Sequence, residues 1–261
     1  EDCSSLTDIT IPDSVRSIGE GAFSGCGRLK NISISNNITS IGAWAFYGCD
    51  NLQYNEYGNA KYLGNAQNSY LALIKSINAD ITSVDINRKT KIICDEAFYS
   101  CHNLASVTIP NSVVHIGSGV FKNCRSLTDV MIPNSVKSVG FFAFFSCYNL
   151  TSIAIPDSVT CIEPYMFGCC SNLTSVTIPN GVTRIGVAAF ENCSSLTNIS
   201  IPSGVKNIGM YAFNACSSFQ LIDYDGSVEN WLKVSALAGK QTDGITTIKC
   251  TDGEIKFNFN T

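Results

Sequence analysis

Thirteen cysteines are the residues of this 261-residue chain whose chemistry first needs an account. Thiolates bind metals, exchange disulfides and attack electrophiles, and each task requires a particular spacing. No Cys-x-x-Cys pair is present. Eight cysteines instead stand three residues after a phenylalanine, at 26, 49, 101, 124, 147, 170, 193 and 216, and Cys3 extends the series backwards. Equivalent residues on stacked coils would have parallel Cβ vectors roughly 4.8 Å apart. A disulfide needs about 3.5–4.5 Å, so these are expected to be buried free thiols packing as small apolar groups. Of the remaining Cys94, Cys161, Cys169 and Cys250, Cys161 is the candidate reactive thiol, and whether any of the four forms a disulfide is left open by spacing. His102 and His115 are the only histidines and fall on different parts of the pattern, which argues against a nucleophilic triad or a histidine metal site. Gly19-Glu20-Gly21 begins like a dinucleotide loop but lacks the third glycine. The sequence therefore nominates no catalytic residue, no cofactor and no metal, and an enzyme is not expected.

The elements that place these residues form a repeat. Phenylalanine recurs at 23, 46, 98, 121, 144, 167, 190 and 213, in steps of 23 broken once. Residues 173–193, LTSVTIPNGVTRIGVAAFENC, show the unit: Leu173, Val176, Ile178, Val182, Ile185, Ala189, Phe190 and Cys193 supply its apolar positions. The pattern predicts two short strands and a helical turn per coil. One coil cannot bury its own apolar side, so coils must stack into a continuous core. Pro12, Pro110, Pro133, Pro156, Pro179 and Pro202 follow the first strand, where a missing N–H ends pairing. Gly19, Gly42, Gly117, Gly140, Gly186 and Gly209 follow the second, where a left-handed or crowded backbone is expected.

Phe46 and Phe98 are 52 residues apart, one repeat and 29 residues more. Residues 52–80 read as one enlarged coil with a protruding β-hairpin, with Tyr62-Leu63 and residues 71–74 around a Gly-Asn-Ala-Gln-Asn-Ser turn. The solenoid thus covers residues 1–218. Residues 219–261 are read as a capping segment: a last strand, a short helix around Trp231, and a hairpin turning at Asp252-Gly253. The chain begins in mid-repeat, which suggests that further sequence precedes Glu1.

Composition narrows the partners. Hydrophobic residues make up 45% and charged residues 15% of the chain, with mean hydropathy +0.14, so a large core can form. Seventeen Lys and Arg face 21 Asp and Glu, for a net charge of −4. That balance, with no basic run, argues against nucleic acid. The longest strongly apolar stretch, residues 141–145, is far short of the roughly 20 residues that span a bilayer, so no membrane insertion is expected.

The pattern C-x-x-L-x-x-I-x-I-P-x-x-V-x-x-I-G-x-x-A-F resembles the BspA-like, or treponemal-type, leucine-rich repeats over residues 3–216. LIDYDGSVENWLKVSA and KCTDGEIKF are similar to the segment that closes many bacterial members, and YLGNAQNSYLALIK is similar to an insertion found in some. The resemblance implies an α/β fold, a right-handed β/α superhelix of stacked 23-residue coils. It further implies a secreted or cell-surface bacterial protein that binds host proteins or other cells, and it brings no catalytic residues.

Two outward surfaces follow from the repeat. The first-strand face, with residues such as Ser106, Thr108, Ser175 and Thr177, is small and hydroxyl-rich; it is either a broad weak binding face or a solvated sheet. The turn side places residues two before and one after each core phenylalanine outward. Trp44, Tyr47, Tyr99, Phe142, Phe145, Tyr165 and Tyr211 stand there, with Phe141 beside them. Such a patch either marks an interface, including a weak dimer, or consists of rings lying flat over neighbouring coils. The expected function is a non-enzymatic protein-interaction scaffold. The alternatives are a carbohydrate-binding module that stacks sugars on Trp44, Tyr47, Phe142 and Tyr165, and a passive spacer.

Overall fold

A computed structural model describes residues 3–235 and 247–256 of the chain. Parallel strands pair in register 23 residues apart in two ladders that run along the stack. In the first, Ser152–Ala154, Ser175–Thr177, Asn198–Pro202, Leu221–Asp225 and Thr247–Cys250 lie side by side, Ser152 opposite Ser175. In the second, Cys161–Ile162, Arg184–Ile185 and Asn207–Ile208 do the same. Alternation along each strand sends one residue inward and the next to solvent, so Val176 is buried between exposed Ser175 and Thr177.

Inside, the repeat phenylalanines stack ring on ring. Phe98, Phe121, Phe144, Phe167, Phe190 and Phe213 have centroids 5.4–5.6 Å apart and near-parallel planes. Phe219 closes the column 5.0 Å beyond Phe213. Burial of each such ring stabilises the fold by about 1.5–3 kcal/mol.

The structure corrects the α/β superhelix to a β-solenoid. The only α-helix among the described residues is Val228–Ser235, which carries the buried Trp231. The segments around each core phenylalanine are runs of overlapping turns. In the Phe144 coil, Phe145 and Cys147 donate to carbonyls three residues back, Phe142 at 3.0 Å and Phe144 at 3.2 Å. The alternate N–H groups of Phe142, Phe144 and Ser146 instead reach Pro164, Met166 and Gly168 of the next coil. A helix would commit every N–H to the carbonyl four back. Here every second one is spent on the neighbouring coil, and the residues two before and two after the phenylalanine take positive φ to aim it there. Phe142 and Ser146 lie at 57° and 58°, Tyr165 and Cys169 at 56° and 61°.

The glycine after the second strand is explained by crowding rather than handedness. A Cβ on Gly140 would come within 2.5 Å of the Ser118 nitrogen of the preceding coil, whereas Gly19, in the first coil, has nothing within 4 Å.

The long interval between Phe46 and Phe98 is filled by three antiparallel strands, Asn55–Tyr57, Ala60–Leu63 and Ala72–Ser76. Asn55–Tyr57 is exposed throughout, but the other two do not protrude as expected. Tyr62, Leu63, Leu71 and Leu73 are fully buried, and Ala72–Ser76 runs parallel to Ile92–Ile93 as a member of the second ladder. Ala72 faces the apolar cluster of the first two coils and Leu73 faces that of the later ones. At the far end, Thr247–Cys250 and Gly253–Lys256 form the antiparallel hairpin. The rest of the expected cap, residues 236–246 and 257–261, lies outside the described residues.

A left-handed backbone costs a residue with a side chain about 1–2 kcal/mol, part of which returns as the greater unfolded-state entropy of glycine. Ala215 is exposed, has φ 56° and carries no polar group. Ala215→Gly is therefore expected to raise stability by about 0.5–1 kcal/mol, read as a higher urea midpoint. Gly140→Ala should lower stability by about 1–3 kcal/mol through overpacking. A fall in the first variant or no change in the second would contradict this account of the turns.

Candidate functional site

The two outward rows of the turn side, two before and one after each core phenylalanine, carry the side chains that the fold leaves free for recognition. Phe142 and Tyr165, equivalent residues on adjacent coils, stack 4.8 Å apart at 8°. Phe145 meets both edge-on, at 5.6 and 6.3 Å. Gly168 makes room for that ring, because a Cβ there would come within 2.8 Å of the Phe145 Cδ2. Lys122 sends its Nζ over Tyr99, Phe142 and Phe145, 5.6, 5.2 and 5.9 Å from the ring centres. An ammonium is attracted to ring faces at such distances. Four of the expected aromatics thus form one platform with a cation at its centre. Phe142, Phe145 and Tyr165 are half-buried because each ring lies partly over its neighbours.

Trp44, Tyr47 and Tyr99 are 58%, 72% and 46% exposed. They border a cavity of about 260 Å³ where the regular stack is interrupted, adjoining the platform through Tyr99 and walled also by Tyr54, Lys75, Asp95 and Glu96. Phe141 and Tyr211 are exposed and, among the described residues, make no ring contact with either group. Sequence reasoning missed Lys122 and Glu96. Both occupy the outward rows, Lys122 one after Phe121 and Glu96 two before Phe98, and their positions were readable there.

The polar groups are arranged as follows. Ser118 N–H donates to Asp95 Oδ1 at 2.8 Å, and burial pushes the Asp95 carboxyl up. Glu96 is also pushed up by burial, while Lys122 and the Trp44 side chain pull it the other way. His115 Nδ1 lies 2.7 Å from Ser138 Oγ, and desolvation pushes its pKa down against the pull of Asp95. His102 Nδ1 lies 2.9 Å from the Asn123 carbonyl, away from His115. Among the described residues no group of three His, Cys, Asp or Glu is placed to hold a metal ion.

All thirteen cysteines are free thiols, ten of them buried. The ladder members do more than fill space. Cys124, Cys147, Cys170, Cys193 and Cys216 donate S–H to the carbonyls of Phe98, Phe121, Phe144, Phe167 and Phe190, at 3.0–3.2 Å. Each thiol ties its coil to the core residue of the coil before. Burial pushes Cys124, Cys147, Cys170 and Cys193 upward, so they stay protonated and unreactive near neutrality. Cys161, the candidate reactive thiol, accepts Arg184 Nε at 3.1 Å, yet burial raises it more than Arg184 lowers it.

These features define a class: a thiol-laddered, phenylalanine-stacked β-solenoid whose outward aromatic side chains lie on its turn side. The BspA type leucine rich repeat region matches the chain in six copies, over residues 1–90, 75–194 and 160–249, and the chain belongs to that family. A leucine rich cell surface protein from Faecalibacterium prausnitzii is similar at 27% identity and TM-score 0.54, over 91% of this chain and 64% of that one. The chain therefore spans less than two thirds of that relative. The pneumococcal vaccine antigen PcpA shares the fold at 17% identity and TM-score 0.58, over 95% of this chain and 68% of its own. So does a leucine-rich repeat protein from Eubacterium ventriosum, at 18% and 0.52, over 100% and 86%. No curated protein matches the chain. Among the described residues no helix is long and apolar enough to cross a membrane.

The thiols give a direct test. A disulfide reagent should titrate at most Cys3, Cys161 and Cys169 rapidly in the native protein and all thirteen in denaturant; equal low titres would show disulfides. Cys124, Cys147, Cys170 and Cys193, raised by burial, bind their protons more tightly in the folded chain than in the unfolded one, whose thiols titrate near pH 8.5, and outnumber Cys216, which the Cys193 side chain pulls the other way. The ladder's contribution is complete below that pH and is lost as the pH rises above it, because the unfolded state releases protons first. The urea midpoint should accordingly fall between pH 8 and pH 10, and a flat profile would contradict the ladder's burial.

Proposed function

We propose that this chain is a non-enzymatic interaction module of a bacterial cell-surface or secreted protein, binding a host or microbial protein through its turn-side aromatic platform. The observation that carries the reading is the set of rings at left-handed backbone positions. Trp44, Phe142, Tyr165 and Tyr211 have φ of 55°, 57°, 56° and 63°, at the position where the Phe23 and Phe121 coils carry Gly21 and Gly119. Such backbone costs about 1–3 kcal/mol per residue and persists where the surrounding structure, here the turn, over-determines it. The core does not need these rings, because the same turn forms with glycine. Large, rigid, part-polar side chains at low entropic cost are what interface centres use, with a basic group among them. Cell-surface placement is supported by the F. prausnitzii relative, which is described as a cell surface protein. A passive spacer is the outcome if no ligand is found.

Phe142→Gly with Tyr165→Gly separates binding from folding, because glycine relieves the backbone at both sites. Labelled wild-type protein should bind a member of a panel of extracellular-matrix proteins, and the double variant should lose at least tenfold in affinity, about 1.4 kcal/mol. Its unfolding midpoint should stay within about 1 kcal/mol of wild type. Binding that survives the double substitution would exclude this platform, and absence of any binding would favour the spacer.

A further inference from the structure

The cavity bordered by Trp44, Tyr47 and Tyr99 exists because one coil lacks its turn. Where another turn follows directly, each turn hands three N–H groups to it: Gly119, Phe121 and Asn123 donate to the carbonyls of Phe141, Ala143 and Phe145, each at 2.8 Å. After the Phe46 coil the chain runs straight through as Ala72–Ser76 instead. The corresponding N–H groups of Trp44, Phe46 and Gly48 consequently have no acceptor among the described residues. On the facing coil, Ala97 C=O is taken by Ser76 N–H at 2.8 Å, while the carbonyls of Asp95 and Tyr99 receive no donor among those residues. The hollow of about 260 Å³ thus has unspent backbone donors on one wall and unspent acceptors on the other.

Side chains complete it. Asp95 is fixed by Ser118 N–H, Glu96 faces the Trp44 side chain, and Lys75 holds its ammonium 5.3 Å above the Tyr54 ring. Both signs of charge are present, which suits a neutral ligand better than an ion. The volume lies below the roughly 300–1,000 Å³ of sites for drug-sized molecules, so one ring-sized unit fits and a peptide of several residues does not. Exposed aromatic faces at the rim offer flat apolar contact, and the interior offers donors and acceptors in alternation.

From this geometry we infer that the cavity is a saccharide site, which takes one neutral sugar unit of a glycan between Trp44, Tyr47 and Tyr99. A sugar ring matches it on every count: hydroxyls that both donate and accept for Trp44 N–H, Phe46 N–H and the Asp95 and Glu96 carboxyls, and C–H faces for the rings. The inference extends the recognition role proposed for the turn side, giving its N-terminal end a ligand class of its own.

The experiment is a printed array of neutral mono- and oligosaccharides probed with the whole chain, beside Trp44→Gly and Glu96→Gln. Trp44→Gly installs the residue that the Phe23 and Phe121 coils carry at that position, so it should fold at least as well as wild type by urea titration. We expect a glycan signal that falls at least tenfold in both variants. The array is read independently of the matrix-protein panel, so glycan binding without matrix-protein binding supports this inference and removes the other. No bound glycan, a bound glycan indifferent to both substitutions, or a peptide array whose signal those substitutions abolish instead would overturn it.

Discussion

Contact between phenylalanine rings 23 residues apart sets the pitch on which the rest of the solenoid depends. Adjacent strands lie about 4.8 Å apart, whereas the ring centroids are separated by 5.4–5.6 Å. The rings therefore sit offset rather than squarely over one another, the arrangement that their quadrupoles favour. Once that column is fixed, the backbone around it has little freedom. Each turn must pass close enough to the next to give it alternate N–H groups, and each cysteine must bring its thiol to the carbonyl of the previous phenylalanine. The crowding that requires glycine after the second strand is a further effect of the same spacing.

The same constraint divides residues into those the stack commits and those it leaves free. Phe144 and Cys147 are fully enclosed, and their chemistry is spent on cohesion. Phe142 and Phe145, two before and one after the core ring, contribute little that a smaller residue would not. Their rings meet those of the next coil and the Lys122 ammonium at the surface. The outward rows of equivalent positions are thus where side-chain content varies from coil to coil while the backbone does not.

Much of this was legible in the sequence because repetition amplifies weak signals. The phenylalanine and cysteine ladders, the proline punctuation and the outward aromatic rows all follow from a 23-residue step. The turn conformation was not legible, and its cause is local. In the turns around the core phenylalanines, left-handed positions are marked by glycine only at Gly21, Gly25, Gly48 and Gly119, and elsewhere by residues as unlike as Trp44, Ser100 and Asn192. An Ala-Phe pair in such company reads as helix. The thiol-to-carbonyl bonds span 26 residues and three-dimensional proximity alone discloses them. The walls of the cavity come from segments around residues 44, 54, 75 and 96. They are brought together only because the enlarged coil substitutes a strand for a turn, which hydrophobic patterning cannot distinguish from a hairpin that stands clear.

That substitution also has a consequence for how the molecule holds together. Stacked-repeat proteins derive their cooperativity from coupling between nearest neighbours. Here the column of rings is interrupted between Phe46 and Phe98, and the interior separates into two clusters that meet along three strands: Leu63, Ala72 and Ile92 face the cluster of the first coils, and Tyr62, Leu73 and Ile93 face the cluster of the later ones. With the ring column broken there, coupling between the first coils and the long block runs through strand pairing and aliphatic contact alone, which makes this boundary the place where a two-segment unfolding would divide the molecule.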